Sequence, residues 1–109
     1  MSEQPRLHPR LDDPPLDVVG GWTTVYNISL GGMCVVTSER FVADQRVRFT
    51  LRDRETEQVM DFRADVVWAS ELVSGIKRAG VRWVDLLRHE ELWLSRIIDR
   101  GLATTTEPD

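Results

Sequence analysis

Trp22-Thr23-Thr24-Val25-Tyr26-Asn27-Ile28 runs into Ser29-Leu30-Gly31-Gly32 and out again as Met33-Cys34-Val35-Val36-Thr37. The first and last segments are rich in aromatic and β-branched residues and read as strands. The glycine pair between them reads as the turn of a hairpin. Working outward, Val47, Phe49 and Leu51 alternate with Arg46, Arg48, Thr50 and Arg52, which is the period of a half-buried strand. Asp53 to Glu57 is a charged turn. Met60, Phe62, Ala64, Val66 and Trp68 then alternate with Asp61, Arg63, Asp65 and Val67. Ser74-Gly75 breaks that pattern, and Ala79-Gly80-Val81-Arg82-Trp83-Val84 supplies a last strand. Short strands at even spacing, joined by hairpin turns, predict a mainly β chain closed into an antiparallel barrel.

The segments flanking this β region differ in kind. Residues 1–15 hold four of the five prolines together with Asp12 and Asp13, and lack apolar periodicity. They are expected to form an N-terminal arm that is mobile without ligand. The barrel is expected over 16–87 and a helix over 88–102. Glu90 and Glu91 open that helix, Arg96 and Arg100 close it, and Gly101 is placed to cap it. Leu94, Ile97 and Ile98 form its apolar stripe, with Trp93 at the edge. Residues 103–109 read as a loose tail. Trp22 and Trp83 are expected in the core, and Trp93 either in helix packing or at an exposed contact.

Composition narrows the function. With 109 residues there is room for one domain and one modest core. A net charge of −4 argues against general DNA or RNA binding, which rests on a basic surface. No apolar run is long enough to insert in a membrane and no leader is evident, so a cytoplasmic location is expected. Cys34 is the single cysteine, so it offers no intrachain disulfide and no cysteine metal cage. A packed strand thiol is expected there. His8 and His89 are the only imidazoles, and no metal, phosphate-loop or nucleophile-elbow motif is present. Neither an enzyme nor a resident cofactor is expected.

Basic residues carry the most specific chemistry. Of 14 Lys and Arg, only Lys77 is lysine, so Arg-x-x-x-Arg pairs arise easily. Arg48/Arg52, Arg78/Arg82 and Arg96/Arg100 fall on strand or helix faces and read as solvated. Arg6/Arg10 lies in the proline-marked arm ahead of the first strand. An arginine fork meets the O6 and N7 acceptors of guanine, or grips a phosphate. Asn27 is the only asparagine, and its amide both donates and accepts. Asn27 and Ser29 share strand parity and face the same side, while Gly32 permits positive φ and close approach of a ligand. Trp68 offers a stacking face, although its parity with Phe62, Ala64 and Val66 favours the core.

Arg6-x-x-x-Arg10 followed by Asn27-x-Ser29-x-x-Gly32 resembles the paired signatures of the PilZ domain, R-x-x-x-R and (D/N)-x-S-x-x-G. Val66-Val67-Trp68 is similar to the family's late strand. Gly80-Val81-Arg82-Trp83-Val84-Asp85-Leu86 is similar to its final strand, with Trp83 where phenylalanine is more usual. The resemblance implies a six-stranded antiparallel barrel with a C-terminal α-helix, spanning the chain as a single domain. It implies a receptor for the bacterial second messenger cyclic di-GMP, of the kind that governs motility and biofilm. The implied ligand-binding set is Arg6, Arg10, Asn27, Ser29, Gly31, Gly32 and Trp68, with the arm folding over the nucleotide. Gln4 and Pro5 stand where many relatives carry further arginines, which bears on whether one or two nucleotides bind. Signalling requires an effector protein that the sequence does not identify, and a monomer or weak dimer is expected. The other reading is a nucleotide-independent PilZ-like adaptor, as in pilus or motility machinery.

Overall fold

The computed structural model describes residues 9–105. Seven strands precede one helix: β1 (Arg10–Asp12), β2 (Leu16–Val18), β3 (Thr23–Ser29), β4 (Gly32–Thr37), β5 (Arg46–Asp53), β6 (Val59–Val73), β7 (Ile76–Trp83) and α1 (Arg88–Thr105). Pairing runs β3-β2-β5-β6-β7-β4 and returns to β3, closing a six-stranded antiparallel barrel. β1 is a seventh strand laid against β3, with Arg10 opposite Ser29 and Asp12 opposite Asn27. Among the described residues no helix is long and apolar enough to cross a membrane.

The alternations read from sequence fill the interior. Val25, Ile28, Val35, Leu51, Phe62, Ala64, Val66 and Ala79 are all buried. Burying each large aliphatic or aromatic side chain contributes about 1.5–3 kcal/mol. α1 adds Trp93, Leu94, Ile97 and Ile98 to the same core. Phe62 meets Trp83 at 4.9 Å and Trp93 at 5.8 Å between ring centroids. The helix opens as its acidic first turn suggests, for the Leu87 amide donates to Glu90 Oε1 at 2.9 Å.

Several expectations are corrected. Arg10–Asp12 is not irregular arm but strand. Leu11 is buried, and it packs so closely on α1 that a Cβ at Gly101 would collide with its side chain. Gly101 therefore lies inside the helix, which continues to Thr105, and serves close packing rather than capping. Trp22 is 82% exposed instead of core. Paired register in β3 begins at Thr23 opposite Thr37, so Trp22 sits beyond the barrel rim, where there is no inner face. Arg100 is no solvated helix charge. Its Nη2 donates to both carboxylate oxygens of Asp53, at 3.0 and 2.9 Å, and its Nε lies 2.6 Å from Glu55 Oε1.

Asp53 ends β5 and is only 2% exposed. Besides Arg100 it accepts from the Glu55 amide at 2.9 Å and from the Thr56 hydroxyl at 3.0 Å. Burial alone pushes this carboxyl up. The Glu55 amide, the guanidinium and the Thr56 hydroxyl outweigh it and hold Asp53 below the usual carboxylate range. The turn that sequence reading marks only as charged is thus the point where α1 is fastened to the barrel.

A cleft on the outer wall of the barrel

Four strands in the order β3-β4-β7-β6 form one wall of the barrel. Their registers align Asn27 with Cys34, Cys34 with Gly80, and Gly80 with Trp68. Asp12 extends this row on β1. A strictly alternating sheet could not build it, because Trp68 would follow Val66 inward. The ladder slips between Val66 and Trp68, so Val67 is an extra residue. Val66 remains buried while Val67 and Trp68 both turn outward, and Trp68 is 43% exposed. That bulge overturns the parity argument for a core tryptophan. A second slip lies between Val25 and Asn27. It leaves Tyr26 and Asn27, neighbours in sequence, on the same outer side between buried Val25 and Ile28.

The indole of Trp68 lies across Gly80, where any Cβ would strike its ring. A glycine in mid-strand signals such a close approach, and Gly80 was legible in that sense. Gly32 plays the same part elsewhere. Its φ is not positive, contrary to expectation. A Cβ there would collide with the Val81 carbonyl oxygen of β7. The turn itself is closed by side chains. Ser29 Oγ accepts from the Gly31 amide at 3.1 Å, and the Trp83 indole N–H donates to the Ser29 carbonyl at 3.1 Å. Phenylalanine at 83 could not make the second bond.

Between these features opens a cleft of about 540 Å³. Arg10, Asn27, Ser29, Gly31, Gly32 and Trp68 all line it. Arg6, the remaining residue of the set implied by the motifs, lies outside the described residues. Asn27 is nearly covered by its neighbours, and Arg10 reaches from β1 to lie 3.5 Å from Asp12. The cleft also contains residues that motif reading leaves out, among them Asp12, Tyr26, Cys34, Val67, Arg78 and Gly80. Arg78 is the largest correction. Assigned by parity to a solvated face, it reaches over β4 to the Tyr26 ring, with Cζ 4.7 Å from the ring centroid. Parity was right that it points outward, but this outer face is the cleft. Cys34, expected as a packed thiol, forms part of the floor and is half-buried. Burial pushes its thiol up, with Arg78 and then Arg10 pulling the other way. Among the described residues no cluster of His, Cys, Asp and Glu could hold a metal ion.

The arrangement offers a flat indole, an amide, a hydroxyl and two guanidinium groups around one concavity. Such groups suit a ligand with aromatic faces, hydrogen-bonding edges and negative charge.

Comparison with known proteins identifies the family and the fold. The profile of the PilZ domain family matches residues 4–100. No curated protein sequence gives a significant match. Three solved structures share the fold. The first is YcgR from Escherichia coli in complex with c-di-GMP, with 22% identity and a TM-score of 0.75 over 93% of this chain and 47% of that one. The second is the inhibitor of motility MotI/DgrA from Bacillus subtilis, with 21% identity and a TM-score of 0.76 over 95% of this chain and 54% of that one. The third is the PilZ domain of Escherichia coli YcgR with c-di-GMP, with 20% identity and a TM-score of 0.65 over 93% of this chain and 94% of that one. The chain thus spans about half the length of YcgR and MotI. With the family profile covering nearly all of its length and the same barrel recurring in these structures, the chain belongs to the PilZ domain family.

Proposed function

We propose that the chain is a cyclic di-GMP receptor module that signals to a partner protein rather than performing catalysis. The observation that carries this reading is the convergence of Arg10, Asn27, Ser29, Gly31, Gly32 and Trp68 on one outer cleft. These residues come from β1, from β3 and its turn, from the start of β4 and from β6. Two of the similar structures hold c-di-GMP, which adds support.

In this reading each group has a task set by its chemistry. Arg10, with Arg6 from the preceding segment, supplies forks for guanine acceptors or phosphate. The Asn27 amide both donates to and accepts from a guanine edge. Ser29 and the Gly31-Gly32 backbone let the ligand come close at the hairpin end. Trp68 supplies a stacking face, and base-on-aromatic stacking is worth about 1–3 kcal/mol. Ordering the residues before β1 over the bound nucleotide creates a new surface for the effector. That ordering costs free energy and lowers affinity below what the contacts alone would give.

Calorimetry with cyclic di-GMP tests the proposal and gives stoichiometry. Saturable binding is expected, with GTP, GMP and cyclic di-AMP far weaker; against cyclic di-AMP the reason is that adenine presents an amino donor where guanine presents O6. Absence of binding would leave the nucleotide-independent adaptor.

A further inference from the structure

Arg78 is a charged cleft side chain whose chemistry the motif residues do not explain. Its Nε is buried and has no hydrogen-bond partner among the described residues. Buried polar groups are satisfied in the great majority of cases, and an orphan on a charged group is the costliest kind. Nor is its charge neutralised. Arg10, the other described guanidinium in the cleft, lies near Asp12, whereas no ion pair is found for Arg78 among the described residues, a condition it shares with the non-cleft arginines Arg40, Arg48, Arg63, Arg82 and Arg96. Instead it lies against the face of Tyr26. Stacking fixes the plane of a guanidinium while leaving its N–H edge free to donate. Tyr26 is available for this because of the β3 bulge, which turns it outward beside Asn27.

From this geometry we propose that Arg78, held by Tyr26, is the phosphate-gripping arginine of the cleft, taking a phosphodiester oxygen of the cyclic dinucleotide through its guanidinium N–H donors. The assignment rests on the cyclic di-GMP reading and divides the labour within it. Asn27 and Ser29 meet the base edge, Trp68 the base face, and Arg78 the anionic linkage. The last task needs a resident positive charge, because the chain is net acidic at −4.

Calorimetry with cyclic di-GMP at two salt concentrations tests this on wild type, Arg78→Gln, Arg78→Lys, Tyr26→Phe, Tyr26→Ala and the control Arg48→Gln, whose side chain is exposed on β5. Arg78→Gln should bind about 10-fold or more weaker, with a flatter salt dependence. Arg78→Lys should recover part of the affinity and most of the salt dependence, since it keeps the charge but not the fork. Tyr26→Phe should match wild type, while Tyr26→Ala should lose about 2- to 5-fold. Ligand-free Arg78→Gln should melt no lower than wild type, since it removes the orphaned donor. Unchanged affinity in Arg78→Gln would overturn the assignment while leaving the receptor reading intact. A weaker Arg78→Gln with unaltered salt dependence but poorer discrimination against cyclic di-AMP would also overturn it, by moving Arg78 to the base. Failure of wild type to bind overturns both.

Discussion

Asn27 and Gly32 belong to the same short motif, yet the structure gives them different physics. Gly32 is held by a backbone contact, since a side chain there would enter the space of the Val81 carbonyl. Gly32→Val should therefore cost at least about 2 kcal/mol of stability by overpacking two paired strands. Asn27 lines the cleft instead. Asn27→Ala should leave unfolding nearly unchanged and weaken cyclic di-GMP about 2- to 10-fold, the worth of a neutral hydrogen bond. Arg10→Ala, which removes a charged donor, should cost about 10- to 150-fold. Urea melts beside calorimetry separate these cases. Equal destabilisation by Asn27→Ala and Gly32→Val would make the segment a plain hairpin.

Among the elements, α1 depends on the end of β5. The Asp53 carboxylate accepts from Arg100 and from its own turn, and is held below the usual range despite burial. The sign follows from that depression. The stabilisation is complete above the ordinary carboxylate value of about 3.9 and is lost as pH falls through the lower value in the folded protein. Asp53→Asn should thus destabilise by about 1.5–3 kcal/mol at neutral pH. The gap from wild type should narrow in strongly acidic solution. Urea midpoints at pH 7 and near pH 3 measure it, and an equal gap at both would mean that packing, not charge, holds the helix.

Elements of this kind differ in how far sequence discloses them. Alternation in β5 and in the first half of β6 is strict, so Phe49, Leu51, Phe62 and Ala64 were legible as interior from their spacing alone. The i, i+3, i+4 stripe of α1 was legible for the same reason. β1 was hidden, because three residues among prolines carry no period, and only Leu11 against Gly101 explains the strand. Trp68 and Tyr26 were hidden by the two bulges, for a bulge is an extra residue and leaves no compositional trace, while Arg78 was read as outward but not as facing a cleft. The motif residues were legible as types at fixed offsets. Their gathering into one cleft depended on pairings between strands far apart in sequence.

At the scale of the whole molecule, the cleft floor carries the chain's only thiol. Cys34 is half-buried in the cleft, and burial pushes its thiol up against the pull of Arg78 and Arg10. A ligand seated in the cleft must cover it. Saturating cyclic di-GMP should slow alkylation of Cys34 several-fold, read as the rate of label incorporation by mass spectrometry. A rate unchanged by bound ligand would place the nucleotide elsewhere on the barrel. β1 has one partner strand and three residues, so it belongs to the low-stability end of the fold. Amide exchange over 10–12 should slow on binding, and indifference there would sink the ordering step of the proposed signal.

The extra residue at Val67 makes the tryptophan wall of the cleft a matter of counting. The same chain paired without that slip would keep the barrel's composition, its neighbouring strands and its indole. Strict alternation would then swing the indole through half a turn, into an interior already filled by Val66 and Val81. A one-residue change of pairing in this strand can therefore keep the same fold and the same letters while losing one side of the cleft.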